Sequence, residues 1–147
     1  MNNSTPHQFL GFMLGAAYRR VTNLFARALK PYDITPEQWS VLFMIAGQEG
    51  INQKEVAAAV GKDQPTTARI VELLQKKGYV TKLMSSNDRR AFQVYATEQG
   101  KALIVTTLPL EQENITAAIE GLQPQQIQEL REMLNLIYHN TENTPHE

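Results

Sequence analysis

Residues 52–95, NQKEVAAAVGKDQPTTARIVELLQKKGYVTKLMSSNDRRAFQVY, decide the fold. Asn52 followed three residues later by Glu55 is a helix start, and Val56, Ala57, Ala59 and Val60 give that short helix a small-residue face suited to close packing. Gly61 supplies a tight turn. Asp63 caps a second helix, and Pro65 sits in its first turn, where no helical hydrogen bond is lost. Ile70, Val71, Leu73 and Leu74 are expected to face the core, Lys76 and Lys77 suit the negative end of the helix dipole, and Gly78 closes the helix. Then the period changes. Residues 79–83 and 91–96 have strand composition, and the polar SSNDRR between them is too long for a two-residue hairpin turn. Helix, turn, helix and basic hairpin predict a winged helix-turn-helix, with a DNA-binding regulator as the working expectation.

Upstream, apolar residues at Leu10, Met13, Leu14, Ala17, Val21, Leu24, Phe25, Ala28 and Leu29 follow the three-and-four spacing of an amphipathic helix, predicted over about residues 8–29 and stopped by Pro31. Phe9 and Phe12 widen its apolar surface beyond one stripe. Thr35, Pro36 and Gln38 form a capping box with proline at the first helical position, opening a helix that buries Trp39, Leu42, Phe43, Ile45 and Ala46 and ends near Gly47. Downstream, Thr97 caps a long helix to about Ile119, kinked at Pro109. Gly121 ends it. Leu122 and Ile127 bracket a further start at Pro124, and Ile127, Leu130, Met133, Leu134 and Ile137 stripe the last helix. Two over-apolar terminal helices predict a dimer interface; the alternative is that they pack on each other within one monomer. The predicted fold class is mainly α with a small β-hairpin wing. Residues 1–34 and 98–147 form a helical dimerisation region, residues 35–97 form the winged helix-turn-helix, and the whole is a single intertwined unit.

The 147 residues fit one compact domain, or one small domain plus an oligomerisation element. The net charge of −1 hides an asymmetry: residues 52–101 carry +4 and residues 102–147 carry −6. Positive charge therefore falls on the proposed reading head. The chain has no cysteine, which excludes disulfides, thiolate zinc sites and thiol redox sensing. No apolar run reaches the roughly 18 residues of a membrane span, and the start has no basic segment ahead of an apolar core, so a cytoplasmic location without membrane association is expected.

A helix-turn-helix presents the N-terminal half of its second helix to base edges in the major groove. Here that surface is Lys62, Gln64, Thr66, Thr67 and Arg69. Glutamine can read adenine, threonine a thymine methyl or a phosphate, and arginine a guanine or a phosphate. At the wing tip, Arg89 and Arg90 suit the minor groove, and Asp88 orients one guanidinium. No nucleophile, base and orienting acid are gathered, and there is no glycine-rich phosphate cradle, so neither an enzyme nor a cofactor is expected. His7, His139 and His146 lack the spacing of a metal site. The rival reading is a winged helix that docks a protein through its basic segment, without sequence-specific DNA binding.

The runs DITPEQWSVL, NQKEVAAAVGKDQPTTARIVELLQKKGYV, NDRRAFQVYATEQGKAL and GLQPQQIQEL resemble the multiple antibiotic resistance regulator (MarR) family over nearly the whole chain. The most specific part is the wing element Asp88–Arg90 with the junction Ala96-Thr97-Glu98-Gln99-Gly100. The resemblance implies a homodimer with interlocked first and last helices, bound to double-stranded DNA at a pseudo-palindromic operator and usually repressing. It also implies a crevice between dimerisation helices and reading head for a small effector, often a phenolic anion. Met13, Tyr18, Arg20, Trp39 and Met44 are the candidates for that crevice, with Arg20 meeting a carboxylate and the aromatic residues stacking on a ring. Pro65 stands where the family commonly has serine, and Ala96 where it has leucine. These departures make the operator sequence untransferable.

Overall fold

The computed structural model describes residues 8–84 and 92–142. The helices are α1 (Leu10–Leu29), α2 (Pro36–Gly47), α3 (Gln53–Val60), α4 (Gln64–Lys76), α5 (Glu98–Ala118) and α6 (Pro124–Glu142). Three strands complete the set: β1 (Ile51–Asn52), β2 (Val80–Met84) and β3 (Phe92–Ala96). Two compact units divide the chain, residues 1–114 and residues 115–147.

In the first unit, α2 is the central element and packs on α1, α3, α4 and β3. Its start follows from its sequence: the Thr35 hydroxyl accepts from the Gln38 backbone N–H at 3.2 Å, and the Gln38 side chain accepts from the Thr35 N–H at 3.3 Å. Val41, Leu42 and Ile45 are fully buried, together with Leu29, Val56, Val71, Leu74 and Val94 from the surrounding elements. Burying one such leucine or isoleucine stabilises the fold by about 1.5–3 kcal/mol, so this cluster holds the reading head together.

The sheet is antiparallel in the order β1-β3-β2. The sequence predicted only the β2–β3 hairpin. The third strand is two residues long, with Ile51 paired to Val94 and Asn52 to Gln93. Such a strand has no periodicity to read; burial of Ile51 and pairing with a distant strand define it. Elsewhere α1 gives way to a 3-10 turn at Lys30–Tyr32, because Pro31 at its start has no N–H to continue the α-helical ladder. Helix α5 continues through Pro109 to Ala118.

Three side chains expected inside are partly outside. Phe43 is 39% and Leu73 38% exposed, and Ala59 is exposed as well. Phe43 gives one ring face to Trp39, stacked at 5.1 Å, and leaves the other open.

The second unit begins in the last turn of α5. Gly121 takes a left-handed conformation at φ 92°, and the Gln126 side chain accepts from the Gln123 N–H at 2.8 Å to start α6. Within the single chain α6 buries none of its residues, leaving Met133 54%, Leu136 62% and Tyr138 46% exposed.

Candidate nucleic-acid interface

Both helices of the helix-turn-helix start at a side chain that satisfies free backbone groups. Asn52 Oδ1 accepts from the Glu55 N–H at 2.8 Å and opens α3. Gly61 then turns left-handed at φ 68°, and the Lys62 N–H donates back to Ala57 O at 3.0 Å. Asp63 caps α4 twice over, accepting from the Thr66 N–H at 2.7 Å on one oxygen and from the Thr66 hydroxyl at 2.8 Å on the other. Those bonds, the backbone one foremost, hold the Asp63 carboxyl below the usual aspartate range, because each favours the charged form.

This geometry sorts the candidates on α4. Gln64 and Arg69 are exposed, Lys62 lies half-buried at the turn, and Thr66 is half-buried with its hydroxyl proton committed to Asp63. Thr67 does not join them. It was expected on the exposed face, yet it is fully buried, with its hydroxyl donating to Asp63 O at 2.8 Å. A threonine that returns its hydroxyl to its own helix presents only its methyl to the interior. Asp88, Arg89 and Arg90 lie outside the described residues.

One feature of this face was not legible in the sequence. Gln64, Pro65 and Ala68 of α4, Gln53 and Lys54 of α3, Asn52 of β1 and Phe92 of β3 line a groove of about 500 Å³ beside the recognition helix. Phe92 is 38% exposed, with Lys82 Nζ 5.9 Å from its ring centroid, so a second cation stands at the wing's base. Lys54 lies in the first turn of α3, outside the second-helix start from which a helix-turn-helix reads DNA. The signal for it was that two helices joined by a tight turn bring their starts to a common face.

The wing base is fixed to α5 by the junction that the sequence singled out. Thr97 donates its hydroxyl to Gly78 O at 2.7 Å and accepts from the Gly100 N–H at 3.1 Å. The Thr97 N–H donates to Tyr79 O at 2.9 Å.

The proposed crevice residues separate. Met13, Tyr18 and Arg20 are exposed on α1, Met44 is half-buried on α2, and Trp39 is buried edge-on to Phe25 with ring centroids 5.0 Å apart. Arg20 lines a groove of about 600 Å³ with Ala16, Arg19, Asn23, Leu24 and Arg27. Helical spacing puts that strip opposite Phe25 and Leu29, the buried residues of α1. Among the described residues no group of three His, Asp or Glu is placed to hold a metal ion, and no helix is long and apolar enough to cross a membrane. His139 lies 3.3 Å from Glu142; His7 and His146 are outside the described residues.

A capped helix-turn-helix with an exposed second-helix start, flanked by a small antiparallel sheet, defines a winged-helix DNA-binding protein. Comparison with known proteins makes the class specific. Residues 32–91 match the sequence profile of the MarR family. The HTH-type transcriptional regulator SarZ of Staphylococcus aureus is 31% identical over 103 residues, 70% of each chain. A MarR-family regulator from Rhodococcus sp. RHA1 superposes with a TM-score of 0.82 at 26% identity, covering 92% of this chain and 96% of that one. CouR from Rhodococcus jostii RHA1, solved bound to p-coumaroyl-CoA, superposes with a TM-score of 0.83 at 27% identity over 99% of this chain and all of its own. The chain belongs to the MarR family. It is a DNA-binding transcriptional regulator of a family of regulators rather than enzymes.

Proposed function

We propose that the protein is a cytoplasmic homodimeric repressor that binds a pseudo-palindromic operator and is released by an aromatic or anionic effector. The observation that carries this reading is the exposure of Gln64 and Arg69 at the start of a doubly capped α4, next to the groove floored by Pro65, Ala68 and Phe92. Two copies related by a two-fold axis present two such helices to successive major grooves, about 34 Å apart. Exposed apolar side chains on α1, with Phe12 77% and Met13 62% accessible, and on α6 favour a second copy as their cover. Lys62, Gln64, Thr66 and Arg69 read or clamp DNA, and Asp88, Arg89 and Arg90 act from the wing.

The p-coumaroyl-CoA bound by CouR supports an effector that is at once aromatic and anionic. In this chain Arg20 is the residue assigned the charge and Met13, Tyr18 and Met44 the apolar component; Arg20 lies on the α1 face away from Phe25 and the Trp39 stack. Release is population shift: the effector binds better to an arrangement in which the two reading heads mismatch the operator.

Selection of bound sequences from a random duplex library at a fixed salt concentration tests this. Enrichment of an inverted repeat is expected. Binding without any sequence enrichment would reject operator recognition.

A further inference from the structure

The groove on α1 brings together three arginines and no acid. Arg19, Arg20 and Arg27 line it with Asn23 between them, and all three arginines are exposed. Helix α1 contains no Asp or Glu at all. The ion pairs among the described residues join Lys77 to Asp33, Lys101 to Glu49 and Glu98, and His139 to Glu142, leaving the three arginines out. Arg20 follows Arg19 directly and Arg27 lies seven residues further on, about two turns, so one helix face gathers three positive charges with no acid on α1 to offset them.

The strip's dimensions narrow what that is. Arg19, Asn23 and Arg27 follow one another at i, i+4 and i+8, and Arg20 stands beside them, so the charges spread over about 12 Å of helix axis. A single carboxylate occupies one guanidinium fork, whereas linked phosphates carry several charges and present oxygens to several forks. Asn23 adds an amide at the centre and Leu24 an apolar edge.

We propose that this groove is a binding site for the diphosphate portion of a small-molecule ligand, with Arg19, Arg20 and Arg27 as its clamps. The inference rests on the effector reading above and deepens it: the charged end of the effector is a polyphosphate held on α1, on the helix face opposite Phe25, and not a carboxylate held by Arg20 alone.

Inorganic pyrophosphate is the probe, titrated calorimetrically into the full-length protein at constant ionic strength. Binding is expected for the wild type, at least tenfold weaker for the Arg20→Gln/Arg27→Gln double variant, and unchanged for Lys62→Gln/Arg69→Gln, which removes cations from the reading head. Equal binding by wild type and the α1 double variant would overturn the proposal, as would no binding to the wild type. A double variant that binds pyrophosphate normally but dissociates into monomers would assign the strip to a second copy of the chain instead. Benzoate, tested for release of bound duplex DNA, separates the two levels. Release by benzoate with no pyrophosphate binding sinks only the diphosphate site, whereas a failure of both anions sinks the effector reading as well.

Discussion

The indole Nε1 of Trp39 donates a hydrogen bond to Thr107 Oγ1 at 2.7 Å in the buried core, linking α2 of the reading head to α5. Thr107 passes its own hydroxyl proton to Leu103 O at 2.7 Å, so both polar groups are satisfied inside. Trp39 also stands edge-on to Phe25 and stacks on Phe43. One residue thus joins three helices, with its only polar atom paired.

Thr107→Val keeps the shape of the side chain and removes the acceptor. An indole N–H left buried without a partner costs about 1–3 kcal/mol. The variant is expected to unfold at lower denaturant concentration with an unchanged slope. Equal midpoints for variant and wild type would mean that the hydrogen bond contributes nothing net.

Gly100 is a second point of contact between sheet and helix. A Cβ there would stand 2.2 Å from Tyr79 O and 3.3 Å from Leu42 Cδ1. The first obstacle is backbone and cannot swing away. Gly100→Ala must therefore push α5 from the base of the wing, a misfit of the kind that costs about 1–3 kcal/mol. A thermal melt reads this as a fall of several degrees in Tm, and DNA affinity should fall with it because the wing moves. An alanine variant with wild-type Tm would show that the contact is looser than the geometry requires.

Much of this was legible in the sequence because it is local. The caps at Thr35, Asn52 and Asp63 each satisfy backbone groups within three residues, and Gly61 and Gly78 adopt the left-handed turns that glycine tolerates. What escaped depends on distant partners. Strand β1 exists because Val94 comes back to pair with Ile51, and Thr67 lies inside because of how α4 packs in the core, its hydroxyl satisfied locally by Asp63 O. Residue type pointed the wrong way at Thr67 and Phe43: a self-satisfied threonine can be buried, and a phenylalanine stacked on one face can stay partly in water. The Lys54 and Phe92 groove depends on folding the hairpin against the helix starts, which no single segment encodes.

Acid should loosen the start of α4. The Thr66 backbone and hydroxyl bonds lower the Asp63 pKa in the folded protein, so the carboxylate's contribution is present above the unfolded aspartate value of 3.8 and is lost as pH falls through the lower folded value. Asp63→Asn keeps a capping oxygen but has no proton to gain. The stability difference between wild type and Asp63→Asn is therefore expected to be constant near neutral pH and to shrink below pH 3.8. Denaturant melts of both proteins across that range check it. A difference that stays level into acid would mean that the charge at this cap does not contribute.

The two surfaces proposed to face DNA should fail in different ways. Gln64 is exposed at the first turn of α4, where a bidentate side chain can reach an adenine edge, so Gln64→Ala is expected to cost about 1–3 kcal/mol against the preferred site and less against other sequences. Specificity relaxes and the salt dependence stays. Arg90 belongs to the proposed wing tip, and an arginine on phosphate or in the minor groove acts mainly through charge. Arg90→Ala should weaken binding to preferred and random duplexes alike, and lower the slope of log affinity against log salt by about 1. Anisotropy titrations of both variants at several salt concentrations, on the selected operator and on a scrambled duplex, distinguish these outcomes. An Arg90→Ala protein with unchanged affinity and slope removes the wing from the interface, and a Gln64→Ala protein that loses affinity equally for every sequence makes Gln64 a backbone contact instead of a reader.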